Sequence, residues 1–267
     1  MLRRDTLNHG IDDVNADIEV AYTTSDGQST LIPFSSEWKN IFVQTSGGLD
    51  SALLLYLTAK TFAAQKSDVK IIPFSLEIPT KAKNLASARA VIQRVRVLTG
   101  YQNLQSGVEG HIPMELSENP HKDAFFNSTL KSLWDKFDIS FEFNGNTKNP
   151  PNEARRHFRD NDHRQLTRDN RTTIYNSRYS ASPHAMIDKK GIVELYIQQG
   201  ILNELAPFTL SCDINLSEAK ERGLDIPCQE CWWCRERDWG FKSNGATDLS
   251  QSINSKVLGQ TECKLVP

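Results

Sequence analysis

Apolar positions along the chain follow two periods, and the changes between them mark the elements. Ile18 to Thr24 and Ser29 to Phe34 flank an Asp26-Gly27 turn signal, which predicts a β-hairpin. Asn40 to Thr45 (NIFVQT) is a short apolar run that ends in SGGLDS, and from Ser51 the pattern turns helical (ALLLYLTAKTFAA). Val69 to Leu76 is a second buried-strand candidate, and Leu85, Ala88, Ile92, Val95 and Leu98 then recur at helical spacing. Ala124 to Phe137 reads as another amphipathic helix, with a strand at Ile139 to Phe143 and a further helix at Ile187 to Gln199. Residues 1–17 are polar, the stretch from Gly145 to Ser182 is polar and Arg-rich, and the tail after Ser243 has no clear pattern.

Strands alternating with helices imply the α/β class, a parallel twisted sheet with helices on both faces. Such sheets bind ligands beyond the carboxyl ends of their strands, where the strand order reverses. The expected division is an N-terminal extension with the hairpin (1–39), an α/β nucleotide-binding domain (40–206), a four-cysteine module (207–243) and a tail (244–267).

Composition narrows the classes. The 267 residues carry 31 Lys plus Arg against 33 Asp plus Glu, so bulk nucleic-acid coating is not expected. The two arginines near the N-terminus precede no apolar stretch, and the longest apolar run, Ala52 to Leu57, is too short to span a bilayer. With only five cysteines and no secretory signal, the expected setting is a reducing cytoplasm without membrane contact.

Ser46-Gly47-Gly48-Leu49-Asp50-Ser51 is the first string that carries chemistry. Two glycines let the backbone approach an anion without a Cβ in the way. Amides of the turn and of the first helical turn then converge where the helix dipole favours negative charge. Ser46 and Ser51 add hydroxyl donors, and Asp50 beside a phosphate makes sense as a Mg2+ partner or loop organiser. A side chain at Gly47 is expected to block the anion and leave the fold untouched.

Cys212, Cys228, Cys231 and Cys234 follow C-x15-C-x2-C-x2-C. Four thiolates suit a closed, structural Zn2+ site; an iron–sulfur cluster is the main competitor, ahead of buried free thiols or a disulfide. Cys263 stands apart as a tail thiol.

The SGGLDS string, placed between an apolar strand and a helix, resembles the pyrophosphate loop of the ATP pyrophosphatases, the PP-loop enzymes. These cleave ATP between its α and β phosphates and adenylate a substrate oxygen. They include GMP, NAD and asparagine synthetases, tRNA-thiolating enzymes and the 7-cyano-7-deazaguanine (preQ0) synthases. The run Thr209-Leu-Ser-Cys212, with Cys228-Gln-Glu-Cys231-Trp-Trp-Cys234-Arg-Glu-Arg237-Asp-Trp-Gly-Phe241, is similar to the C-terminal zinc motif of the preQ0 synthases. Lys189-Lys190-Gly191-Ile192 resembles the same branch's K-x-x-I segment, in which the lysine reaches an ATP phosphate; the plain alternative is a solvated lysine at a helix start.

That resemblance implies an adenine-nucleotide α-hydrolase-like fold and an ATP-dependent carbon–nitrogen ligase. Its substrates would be ATP with Mg2+, ammonia and a deazapurine carboxylate, 7-carboxy-7-deazaguanine, taken to an amide and then a nitrile. Ser46, Asp50, Ser51 and Lys189 would be the catalytic set, with Gly47, Gly48 and Leu49 completing the cradle, and a homodimer is compatible with it. The resemblance covers roughly residues 40–60 and 183–241. Between them, Phe74-Ser-Leu-Glu-Ile-Pro79 replaces a YGQ-type stretch, and Gly145 to Arg155 keeps the glycine of a G-x-N-x-x-D…YPDCR stretch but not the rest. A PP-loop enzyme amidating or thiolating another acceptor, and a non-catalytic nucleotide-binding zinc protein, are therefore the alternatives.

Two features stay open. Between Arg155 and Arg178 lie seven arginines (Arg155, Arg156, Arg159, Arg164, Arg168, Arg171, Arg178) with His157, His163, Tyr175 and Tyr179 interleaved. They read as a substrate grip, a nucleic-acid backbone contact or a solvated face. Trp232-Trp233 reads as packing on the main domain or as an anchor for a protein contact.

Overall fold

The computed structural model describes residues 16–82, 85–117, 122–156, 158 and 174–250. Strands β1 (Ile18–Thr23) and β2 (Ser29–Phe34) pair antiparallel as the hairpin, a two-stranded sheet of its own. The second sheet is built from β3 (Asn40–Gln44), β4 (Lys70–Glu77), β5 (Val108–His111), β6 (Ile139–Phe143), β7 (Tyr175–Ser177) and β8 (Ser180–Ala181). Its order is β5-β4-β3-β6-β8-β7, with every pairing parallel except β7 with β8. The main helices are α1 (Leu49–Ala64), α2 (Leu85–Thr99), α3 (Lys122–Phe137) and α5 (Lys189–Gln198). Shorter ones are α4 (Asn152–Arg155), α6 (Leu202–Leu205) and α7 (Leu216–Glu221), and α8 (Trp232–Ser243) carries Cys234, the last cysteine of the module.

β3 is the central strand. The chain leaves it through α1 to β4 on one side, and β6 arrives on the other side only after β5 and α3. The reversal of strand order therefore falls between β3 and β6, and the SGGLDS turn opens directly above it.

Two cores cover the two sheet faces. Phe42, Ile72, Phe74 and Ile139 pack against Leu130 and Trp134 of α3. The larger core joins Ile41, Val43 and Phe141 to α1, α2 and α5. Helix α1 has no polar face: twelve of its sixteen residues are buried. The hairpin supplies the reason. Phe34 meets Phe62 edge-on at 4.9 Å, and Tyr22 Oη lies 2.9 Å from Thr61 Oγ1, so the outer side of α1 is roofed by β1 and β2. A helix between a sheet and a second layer reads as apolar all round.

A third, small cluster holds Leu210, Cys212, Ile214, Ala219, Cys228 and Cys234 together with Ala82. The amide of Ala82 donates to Ile214 O at 3.0 Å and that of Leu216 to Thr80 O at 2.9 Å, so the cysteine module is stitched to the segment after β4. No helix among the described residues is long and apolar enough to cross a membrane.

Candidate functional site

The loop that follows β3 is held on every side by backbone. Thr45 N donates to Phe74 O at 2.7 Å, and Ser75 Oγ donates to Thr45 O at 2.7 Å, which ties the loop to β4. Leu210 N donates to Gly47 O at 2.8 Å. Gly47 has φ +75°, a conformation L residues rarely adopt, and an added Cβ would lie 2.7 Å from Ala88 N of α2. This corrects the expectation that a side chain at Gly47 would spare the fold: the position packs against a helix as well as opening the loop. On the other flank, a Cβ at Gly145 would stand 3.2 Å from Ser51 Cα, so the chain leaving β6 also passes close to the loop.

Three amides of the loop are met by serine hydroxyls at long range. Ser46 N donates to Ser51 Oγ at 3.2 Å, Gly48 N to Ser46 Oγ at 3.4 Å and Leu49 N to Ser211 Oγ at 3.4 Å. Ser46 Oγ and Ser51 Oγ are 3.2 Å apart. Bonds of this length are weak and readily given up to a charged acceptor. Gly48 is the N-cap of α1 and makes no side-chain cap, so the cradle opens on the first turn of a sixteen-residue helix.

Lys189 is not a solvated lysine. It starts α5, is 2 % exposed, and its ammonium sits on both carboxylate oxygens of Asp50. Glu236 of α8, fully buried, stands 3.6 Å from the same nitrogen. An added Cβ at Gly240 would lie 2.8 Å from Lys189 O, so only glycine lets α8 approach α5 this closely. This ion pair ties Asp50, in the first turn of α1, to the start of α5.

The hairpin anchors the same helix. Asp188 caps α5 by accepting from Gly191 N at 3.0 Å, and Gln28 Oε1 accepts from Asp188 N at 2.9 Å. Lys190 pairs with Asp26 at 3.0 Å. His184, fully buried, shares a 2.8 Å hydrogen bond between Nδ1 and Thr30 Oγ1. Burial pulls its pKa down to about 4, against a smaller upward pull from Asp50, so the ring is neutral at ordinary pH.

The four cysteines converge as the spacing implied. Their sulfurs all lie within 4.8 Å of one another, with Cys228 Sγ and Cys234 Sγ 4.0 Å apart. Cys231 is the N-cap of α8 and Cys234 lies in its first turn, while Cys212 comes from the extended segment beside the loop. The amides of Cys228 and Cys231 donate to the sulfurs of Cys212 (3.4 Å) and Cys228 (3.3 Å), a pattern that favours thiolates. The donor set fits a metal ion: four buried or half-buried sulfurs this close cannot all ionise unless a cation sits among them. Trp232 is buried and meets Phe158 edge-on at 5.0 Å, which is packing against the main domain.

The flank beyond β6 is different in character. At the end of β6, Asn144 Oδ1 accepts from Asn146 Nδ2 and from Ser182 Oγ, both at 2.6 Å, and Asn176 Nδ2 donates to Ser182 Oγ at 3.0 Å. On β6 itself, Glu142 is buried and hydrogen-bonded by the Gln44 amide; burial pushes its carboxyl pKa up. Arg155 reaches Asn152 of its own helix, and Arg178 lies over the Tyr179 ring at 4.5 Å. His157, Arg159, His163, Arg164, Arg168, Arg171 and Cys263 lie outside the described residues.

Sequence reasoning missed Ser211, Glu236, His184 and the Asn cluster. Ser211 was readable only as a letter in T-x-S-C, and a glutamate beside a cysteine motif carries no signal at all. The placements of Glu236 beside Lys189 and of Arg237 behind Ser211 depend on where α8 lies.

No family model matches the chain, and no curated protein matches it. Among solved structures it is similar to the U34-tRNA thiolase NcsA from Methanococcus maripaludis with its [4Fe-4S] cluster. That match has 12% identity and a TM-score of 0.41, over 86% of this chain and 76% of that one. It is also similar to NAD+ synthetase from Burkholderia pseudomallei, at 12% identity and a TM-score of 0.30, over 84% and 83% of the two chains. Neither likeness is close enough to transfer an activity.

Proposed function

We propose that this chain is an ATP-dependent ligase of the PP-loop type. One observation carries the reading. At the point where strand order reverses, a glycine-opened turn presents backbone amides whose hydrogen bonds are long and end on serine hydroxyls. Phosphate oxygens are stronger acceptors for such amides than neutral hydroxyls are. Ser46, Gly47, Gly48, Leu49 and Ser51 would hold the β and γ phosphates of ATP, which enters with its Mg2+. Lys189 lies within reach of the same place through Asp50, and its charge can move from carboxylate to phosphate as the nucleotide arrives. Attack of a carboxylate oxygen on the α phosphorus expels pyrophosphate and leaves an acyl adenylate. The chain supplies fixed donors for the charge that builds on the leaving group.

The acceptor we propose is a deazapurine carboxylate, 7-carboxy-7-deazaguanine. Ammonia displaces AMP to give the amide; a second ATP adenylates the amide oxygen with loss of pyrophosphate, and elimination of AMP with the two amide protons gives the nitrile. The similarity of the Cys212 to Phe241 run to the preQ0 synthases supports this acceptor. The neutral edge formed by Asn144, Asn146, Asn176 and Ser182 suits a heterocycle with alternating donors and acceptors. The departure of Gly145 to Arg155 from that family favours a second reading, the same activation with a different acceptor.

The metal we propose is zinc in a structural role. Tetrahedral Zn–S bonds of about 2.3 Å place sulfurs about 3.8 Å apart, close to the observed 4.0 Å of Cys228 and Cys234. A four-iron cluster binds each thiolate through a different iron and spreads them farther.

Incubation with ATP, Mg2+, ammonia and 7-carboxy-7-deazaguanine should release AMP and pyrophosphate and yield amide and nitrile by mass. ADP and phosphate as the only nucleotide products would overturn the ligase reading. AMP release with another acceptor only would establish the second reading.

A further inference from the structure

The segment Thr209 to Cys212 belongs to two sites at once. Leu210 N bonds Gly47 O, and Ser211 Oγ accepts from Leu49 N; the next residue is the metal ligand Cys212. Behind Ser211 stands Arg237 of α8, three residues beyond the ligand Cys234. Its Nη1 donates to Thr209 Oγ1 at 2.7 Å and to Ser211 Oγ at 3.3 Å, and Nη2 donates to Ala206 O at 3.2 Å. The rest of the guanidinium is held by Asp248, through Nε at 2.5 Å and Nη2 at 2.9 Å. Both Ser211 and Arg237 are buried, at 7 % and 5 % exposure. A buried guanidinium with both edges occupied cannot swing away, so its position is set by where α8 lies.

We infer that Ser211 is a third hydroxyl of the anion cradle, that Arg237 is its positioning residue, and that the metal clamp between Cys212 and Cys234 thereby tunes nucleotide affinity. The inference rests on the phosphate-loop reading above. A serine hydroxyl has one proton and two lone pairs. Without an anion, Ser211 accepts from Leu49 N and from Arg237. When a phosphate oxygen takes the Leu49 amide, the freed lone pair leaves Ser211 accepting from Arg237 alone, and its proton turns toward the phosphate. The arginine thus polarises a hydroxyl that donates to the anion without touching the anion itself. The metal enters because it joins Cys212, next to Ser211, to Cys234, on the helix of Arg237. Coupling between two sites is reciprocal, so bound nucleotide must tighten the metal by the same factor.

The test uses the metal-loaded full chain and Mg2+ α,β-methylene-ATP, which cannot be cleaved at the bond in question. Ser211→Ala should raise its Kd by about tenfold, the range of one hydrogen bond to a charged acceptor, with metal content near wild type. Arg237→Lys should raise Kd similarly, and the double variant should bind no worse than the weaker single one, because the arginine acts through the serine. Ser211→Thr, which keeps the hydroxyl, should restore affinity, and this holds the test open if Arg237→Lys fails to fold. Bound nucleotide should lower the equilibrium fraction of metal that a competing chelating dye takes from wild type and leave that fraction unchanged in Ser211→Ala. Wild-type affinity in Ser211→Ala, or metal extraction indifferent to nucleotide in wild type, would overturn the inference alone. Failure of the wild-type chain to bind the nucleotide at all would remove the phosphate-loop reading and this inference with it.

Discussion

The two flanks of the β3–β6 opening are built by opposite means. On the SGGLDS flank, the ion pair at Asp50, Ser211 backed by Arg237, and backbone bonds from β4 to Thr45 and from Leu210 to Gly47 hold the loop, with a four-sulfur cluster one residue beyond Ser211. On the opposite flank, β8 has two residues, α4 has four, and the polar cluster at the end of β6 is neutral, with Asn146 and Asn176 exposed. Pyrophosphate has one shape and a high charge, so a rigid cradle of amides and cations serves any reaction that releases it. An acceptor is recognised by the pattern of its edge, which side chains on short elements can alter without disturbing the rest. On the proposed function, the difference would mean that stability and anion binding share residues, whereas acceptor choice is kept apart from both.

That division can be broken first at the cysteines. Cys231→Ser removes one of the four sulfurs and leaves a residue suited to the N-cap of α8. Metal binding is worth about 10–16 kcal/mol in small zinc peptides, so loss of metal by elemental analysis should come with loss of soluble chain. Retention of a full metal complement with unchanged unfolding would contradict the fit of the four sulfurs.

Lys189→Met comes next. It leaves Asp50 and Glu236 without their shared cation, a change that costs about 3–5 kcal/mol when a buried pair is broken. Denaturant unfolding should show the loss, and adding Glu236→Gln should return part of it.

The third effect is set by pH. His184 is neutral in the fold with its pKa pulled down to about 4, against 6.5 for a free histidine. The unfolded chain takes up the proton first as pH falls. Stability from this residue is therefore complete above about pH 6.5 and drains away toward pH 4, by on the order of 3 kcal/mol. His184→Asn, which can still donate to Thr30, should flatten that part of the curve; an unchanged slope would show that another group carries it.

The smallest stability effect should come from the flank beyond β6. Asn146→Ala is expected to shift stability by less than about 0.5 kcal/mol, as exposed substitutions do, while weakening acceptor use with nucleotide binding intact. Equal losses for both ligands would mean that the two flanks are not separate after all.

The hairpin, the strand–turn–helix around SGGLDS, the helices from Leu85, Ala124 and Lys189 and the cysteine cluster were legible because each is a local pattern. Periodicity, turn residues and ligand spacing act within a few residues or within one metal shell. Strands β5, β7 and β8, of four, three and two residues, were missed because so few positions show no period. The α8 helix was hidden by its own motif: with Trp, Cys, Arg and Glu in succession, the ligands dominate the pattern.

What the sequence determined by itself is the chemistry offered: two glycines and two serines at a strand end, four cysteines in one module, and a lysine at a helix start. What the tertiary structure alone decided is who meets whom. Lys189 faces Asp50 across 139 positions of chain, Arg237 faces Ser211 across 26, and His184 faces Thr30 across 154. Contacts over such separations leave no period in the sequence, because they are fixed by packing α5 against α1 and α8 against α5. The close approach at Gly240 and the roof of the hairpin over α1 are the physical terms of that packing.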